Sequence, residues 1–273
     1  KTIERLASER GHNICSIFNT SNPYNRAAQT NADVAIEFTC PDLVVGHIET
    51  AIEQRLPIVV GTTAWSAHLP HITQQIEATN TCLVHASNFS IGVNIFQQLT
   101  ENLAQMLAAY PQYDLSIEEI HHLQKLDSPS GTALTLAAGI IEKHPDYNTW
   151  SLLAPTNKNE LYIAAKRLPD VPGTHEIRAT STIDTITLKH EAHNRDGFAL
   201  GALPAAEFAP GKQGVFTMKD VLQITDSDWS KGSGVTISDG EASFNGVSSY
   251  VYQNIFTIGK TYNFSVSVKD RVS

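Results

Sequence analysis

A short apolar strand that stops at a glycine, Ile58-Val59-Val60-Gly61-Thr62-Thr63, sets the architecture of this chain. Three aliphatic residues in a row show no polar alternation, so the strand reads as buried on both faces. Before it, a strand at 33–38 (Asp-Val-Ala-Ile-Glu-Phe) and a helix from about Asp42 to Arg55 are predicted. After it, another helix leads to a strand at 82–86. Further out, residues 1–11 give an amphipathic helix closed by Gly11, then a strand at Asn13–Phe18. Strands and helices alternating over short connections predict an α/β fold, a Rossmann-like parallel sheet covered on both faces. Ligands of such sheets bind beyond the carboxyl ends of the strands. Gly61, Thr62 and Thr63 lie at one such end, and Ala86, Ser87, Asn88 and Phe89 at the next. Gly61 lets the backbone approach a ligand, and Thr62, Thr63 and Asn88 could hydrogen-bond it. Ordinary loop capping is the plainer reading of the same residues.

The densest chemistry lies from His121 to Ala133, His-His-Leu-Gln-Lys-Leu-Asp-Ser-Pro-Ser-Gly-Thr-Ala. Asp114–His121 has β character and delivers two imidazoles at a strand end, able to exchange a proton near neutral pH. Successive strand side chains point to opposite faces, so His121 and His122 do different jobs, one facing a cleft and one held by a neighbour. Lys125 adds a fixed positive charge. An apolar helical pattern then runs from Ala133 to Ile141. Gly131 and Thr132 therefore start a helix, where free N–H groups and the helix dipole favour an anion. Proton donors, a cation and an anion cradle together suit a small carboxylate. A metal site from His121, His122 and Glu119 is disfavoured, because zinc wants more ligands at short spacing.

Composition narrows the field. The chain has 273 residues and a net charge of −9, so general binding to nucleic acid or an anionic membrane is excluded. No apolar run approaches a transmembrane span, and no signal peptide opens the chain. Cys15, Cys40 and Cys82 are odd in number and widely spaced, which reads as reduced core or near-core thiols in a cytoplasmic protein. An anionic substrate would need local positive charge, for which Lys125 and Arg195 are the candidates. Arg195 is balanced between a substrate carboxylate contact and a surface ion pair. His190 and His193 read as core or surface residues.

Beyond a helix at 132–143, strands are predicted at Leu161–Lys166, Glu176–Thr180 and Asp184–His190, then a helix at 197–208. Gly214–Ile224 returns the chain to the first sheet. This divides the chain into a nucleotide-type domain (1–89 with 197–225), a central α+β domain (90–196) and a β-rich tail (226–273). The tail is rich in Ser, Gly and Val, alternates strictly at Tyr262, Phe264, Val266 and Val268, and carries the hairpin dipeptide Asp239-Gly240.

Residues 1–224 resemble the dihydrodipicolinate reductase family. The most specific match is His-His-x-x-Lys-x-Asp-x-Pro-Ser-Gly-Thr-Ala, met from His121 to Ala133. Val59–Thr63, Ser87–Asn94 and Gly214–Asp220 also match. The resemblance implies NADH or NADPH as cofactor, a cyclic unsaturated dicarboxylate as substrate, a place in lysine and diaminopimelate biosynthesis, and a homotetramer. It implies that His121 is the proton donor/acceptor and Lys125 a second proton donor. His122, Gly131 and Thr132 become substrate-binding positions. Gly61–Thr63 and Ala86–Phe89 become contacts on the nicotinamide side.

The chain also departs from the family's pattern. The family's opening strand and Gly-x-Gly-x-x-Gly turn have no counterpart here, so a fragment without its phosphate loop and with reduced cofactor affinity is expected. Asn19 leaves the choice between NADH and NADPH open, and Ala64, where the family often has Gly, is expected to matter little. The tail has no counterpart in the family. Trp229, Gln253, Gly259, Lys260 and Tyr262 resemble the start of a jelly roll. The alternative reading is therefore an inactive fragment or fusion whose tail binds a glycan or virion partner.

Overall fold

The computed structural model describes residues 1–24, 31–194 and 196–223, and four short strands beyond them. The chain divides into two compact units, Lys1–Ile224 and Thr225–Ser273. The first unit begins with α1 (Thr2–Glu9), β1 (Ala35–Glu37), α2 (Pro41–Glu53), β2 (Ile58–Val60), α3 (Leu69–Thr79), β3 (Cys82–His85) and α4 (Ile91–Leu107). Next come β4 (Asp114–His121), α5 (Gly131–Lys143), β5 (Thr149–Ser151), β6 (Glu160–Arg167), β7 (Gly173–Thr180) and β8 (Thr185–Ala192). It closes with α6 (Asp196–Phe208), β9 (Gly214–Phe216) and α7 (Met218–Val221).

The first sheet is wholly parallel, in the order β1-β2-β3-β9. Its β2 is sealed on both sides, Val59 and Val60 having no exposure. One face packs Ile58 and Val60 against Val44, Ile48, Ile72 and Ile76 of α2 and α3. The other packs Val59, Cys82 and Val84 against Ala202, Ala205 and Ala206 of α6. Local chemistry sets the helix ends. Pro41 opens α2. Asn80, at φ 53°, stops α3 in the left-handed conformation that Asn tolerates. The Ser90 hydroxyl accepts from Val93 N and starts α4 at Ile91.

The second sheet has the order β5-β6-β4-β7-β8, with β4 parallel to β6 and antiparallel to β7. Its inward face packs Leu115, Ile117, Ile163 and Ile177 against Leu107 of α4 and Leu136 and Ile140 of α5. The short β5 was not anticipated; it pairs with β6 through Thr149–Ser151. The remaining helices and strands form where the sequence predicts, with ends shifted by a few residues.

Two expectations are corrected. Asn13–Phe18 forms no strand, and Ile14 and Ile17 are exposed. A strand needs a neighbour for its hydrogen-bond ladder, and β1 forms the sheet edge with no further described strand beside it. Cys15 and Cys40 are exposed, so only Cys82 is a core thiol. No described helix is long and apolar enough to cross a membrane.

In the second unit, β10 (Ser230–Lys231) pairs with β13 (Val251–Tyr252), and β11 (Val235–Ser238) with β12 (Glu241–Phe244), both antiparallel. Asp239-Gly240, the 262–268 alternation and the residues resembling a jelly roll lie outside the described residues.

Candidate active site

Every second residue of β4 is buried: Leu115, Ile117, Glu119 and His121. The first two feed the core, and the last two carry a carboxylate and an imidazole along the same face. Strand register supplies their neighbours. Glu119 stands opposite His175 of β7, and His121 opposite Arg167 of β6. The α5 helix begins beside them because the Ser130 hydroxyl accepts from Ala133 N at 3.1 Å.

Glu119 has no solvent exposure, and a buried carboxylate is tolerated only when well partnered. Ser130 N donates to both of its oxygens at 3.1 Å. Both terminal nitrogens of Arg167 reach Oε1 at 3.2 Å. His175 Nε2 and His121 Nδ1 lie 3.7 and 3.6 Å from Oε2. Burial alone would raise the Glu119 carboxyl, but the nearby His175 ring, the hydrogen bonds from Ser130 and the charge His121 carries when protonated hold it at about 2. His121 moves from 6.5 to about 4 through burial and the positive charges of His175, Lys125 and Arg167, against which Glu119 pulls only partly. The free site thus holds a neutral His121 at pH 7, a correction to an imidazole titrating near neutrality. His121 is the packed member of the pair, its ring against the bare Cα of Gly173.

Lys125 caps a turn with its N–H on His122 O at 3.1 Å, and its ammonium lies 2.8 Å from Asp127. His122 is half-buried at the end of β4. Gly131 opens α5 onto free space, with nothing within 4 Å of where a Cβ would stand. Thr132 Oγ1 accepts from Asn88 Nδ2 at 3.5 Å, so the loop after β3 meets the start of α5. The two sets of predicted residues therefore adjoin at Asn88 and Thr132. Arg195 lies outside the described residues.

At the ends of β2 and β3 most predicted residues also hold their own loops. Thr62 is buried and its hydroxyl accepts from Thr39 N at 2.8 Å. Asn88 Oδ1 accepts from Ser90 N at 2.8 Å, and its carbonyl accepts from Asn94 Nδ2 at 2.9 Å. Phe89 is buried in the core, with Ala86 packed against the same cluster. Ser87 and Thr63 are exposed. Phe38, Thr39, Pro41, Gly61, Thr62 and Thr63 line an open cleft of about 270 Å³. Phe38 occupies the place that a Cβ on Gly61 would fill, so the glycine keeps an aromatic wall against a bare backbone.

Glu119, His121 and His175 bring ligand atoms within 4.8 Å of one another. This trio differs from the one containing His122 that spacing suggested. The Glu119 oxygens already accept from Ser130 and from Arg167, whose guanidinium supplies the counter-charge. The set is organised around a fixed cation of the protein.

A wholly parallel, doubly covered sheet beside a mixed sheet is the build of a nicotinamide-dependent oxidoreductase. Residues 5–89 match the family described as dihydrodipicolinate reductase, N-terminus, and residues 92–222 its C-terminus. The chain belongs to the dihydrodipicolinate reductase family, whose members use NADH or NADPH. It is 42% identical over 222 residues to the 4-hydroxy-tetrahydrodipicolinate reductase of Christiangramia forsetii, covering 81% of this chain and 92% of that one. It is 37% identical to the enzyme of that name from Methanopyrus kandleri, over 70% and 72% of the two chains. A dipicolinate-bound dihydrodipicolinate reductase from Paenisporosarcina superposes with a TM-score of 0.58 at 27% identity, covering 80% of this chain and 84% of that one. These matches support the reductase reading and lend nothing to the glycan or virion alternative.

Sequence reasoning missed His175 and Arg167 and weighed Glu119 only as a metal ligand. The available signal was phase. Glu119 shares the buried alternation of Leu115 and Ile117, and a buried carboxylate demands partners.

Proposed function

We propose that this chain reduces 4-hydroxy-tetrahydrodipicolinate to tetrahydrodipicolinate in lysine and diaminopimelate biosynthesis, with NADH or NADPH as reductant. The observation that carries the reading is the meeting of the α5 start with the loop after β3, through Thr132 and Asn88. That contact supports an anion cradle at α5 serving the same site as the loop after β3. The bound nicotinamide supplies the hydride. Gly61–Thr63 and Ala86–Phe89 hold its ring end. The amides of Gly131 and Thr132, the imidazole of His122 and the guanidinium of Arg195 take the two carboxylates.

His121 is the proton donor/acceptor and Lys125 the second donor. A neutral His121 in the free site gains its proton when the dianion arrives, because nearby negative charge raises imidazole basicity. It then quenches the carbanion character that hydride addition leaves on the ring. Lys125 exchanges Asp127 for substrate. On the face of the second sheet away from α4 and α5, Tyr162, Glu118 and Glu176 are half-buried. That face supports assembly as a homotetramer, and three unpaired thiols suit the cytoplasm.

His121→Ala is the test. Its kcat should fall about 10²- to 10⁴-fold, with KM for the dicarboxylate changed only a few-fold. NAD(P)H oxidation should require the dicarboxylate. Equal losses in kcat and in binding, or oxidation without the dicarboxylate, would overturn the assignment.

A further inference from the structure

Three parts of the proposed site come from three places in the sequence. His121 ends β4, Lys125 rides the following loop, and the anion cradle opens α5. Nothing in the β4 backbone dictates how they stand to one another, yet all three are fastened to one buried ion pair. Glu119 takes Ser130 N on both oxygens, fixing the start of α5 to the sheet. Its Oε2 faces His121 Nδ1 and His175 Nε2. Arg167 closes the set from β6. Besides Glu119, its NH2 donates to Asp127 O at 2.6 Å and its NH1 to Lys166 O at 2.8 Å. Asp127 is the residue that holds the Lys125 ammonium. The His121 carbonyl accepts from Leu168 N at 2.8 Å, one residue beyond Arg167.

We infer that Glu119 and Arg167 are positioning residues for the reduction, one buried ion pair that sets His121, the Lys125 loop and the Gly131–Thr132 amides at working distance. The inference rests on the functional reading above and deepens it. Glu119 also orients the imidazole. His121 Nδ1 is buried and makes no hydrogen bond among the described groups, and Glu119 Oε2 lies 3.6 Å from it. An N–H on Nδ1 aimed at that carboxylate leaves Nε2 to face the dicarboxylate. The charged groups around His121 are Glu119 on its own strand, His175 from β7, Arg167 from β6 and Lys125 from the loop. Glu119 is the single anion among them, so neutralising it weakens the pull that keeps His121 basic.

The experiment uses the full chain with Glu119→Gln, Arg167→Lys and the double variant. The probe is dipicolinate, a stable planar dicarboxylate that needs no cofactor. Calorimetry should show about tenfold weaker dipicolinate binding in each single variant, with the double no weaker than the worse single, since both break one pair. In turnover, kcat should fall about 100-fold while KM for NADH stays within about twofold. The His121 imidazole resonances should titrate at lower pH in Glu119→Gln than in the parent. Parent-like binding and titration in folded variants, or additive costs in the double, would overturn the inference. A purely structural role would lower the melting temperature and leave the titration and the split between the two KM values unmoved. Should Glu119→Gln fail to fold, Arg167→Lys, at the part-exposed end of the pair, carries the same readouts. Failure of the parent to bind dipicolinate would sink the dicarboxylate reading instead, and the His121 titration would still judge the positioning role.

Discussion

The ends of β2 and β3 and the end of β4, whose following segments meet at Asn88 and Thr132, are organised by opposite means. At β4 the geometry is held by charge: one carboxylate, one guanidinium, two imidazoles and a helix-start amide. At β2 and β3 it is held by shape. Gly61 admits the Phe38 ring, and Gly201 of α6 lies so close to the loop after β3 that a Cβ would stand 1.6 Å from Phe89 O. Hydride transfer needs a flat ring held at a fixed distance, which steric fit provides. Proton transfer to a dianion needs a tuned imidazole, which packing alone does not provide.

If the contrast is real, the two ends should fail under different insults. Gly201→Ala strikes the shape-held end hardest. The clash is with backbone, so α6 or the 86–89 loop must move, at a cost of about 3 kcal/mol or more in urea unfolding. Gly61→Ala should cost less, because the half-exposed Phe38 ring can swing away.

Acid should strike the charge-held end. His121 sits at about 4 in the fold against 6.5 unfolded. Its contribution is complete above about pH 6.5 and is lost as pH falls through 4, since the unfolded chain takes up the proton first. Glu119, held at about 2 against 4.5, extends the decline from about 4.5 down to 2. The His121 window should lower unfolding free energy by roughly 3 kcal/mol. His121→Gln should flatten it, and an unchanged slope would erase the contrast.

The smallest effect is a gain. Ala64 sits at φ 65°, in the left-handed region, so it matters more than sequence suggested. Ala64→Gly should raise stability by about 1 kcal/mol by relieving that strain. A loss would mean that the loop after β2 is not held by shape.

What the sequence made legible follows the same division. His121, Lys125, Gly131 and Thr132 fall within a dozen residues, where strand period gives way to helix period behind a Ser-x-x cap. Their grouping could be read locally. His175 and Arg167 belong to strands far along the chain, and only register puts them opposite Glu119 and His121. A single sequence does not encode register in any local pattern. The opposite error came at Asn13–Phe18. Ile14, Ile17 and Phe18 carry strand propensity, but propensity forms no ladder without a partner strand. The loop roles of Thr62 and Asn88 were visible as the plainer alternative, and both side chains do hold their own backbones.

The three thiols have a practical use. Burial pushes the Cys82 thiol up to about 11, which leaves it almost wholly unreactive at neutral pH. Cys15 and Cys40 are open to solvent, one in the extended stretch before β1 and one just after it. A maleimide dye or spin label added to the unaltered protein would mark those two places and leave the sheet interior untouched. The native chain thus carries its own pair of spectroscopic reporters on the margin of the nucleotide lobe.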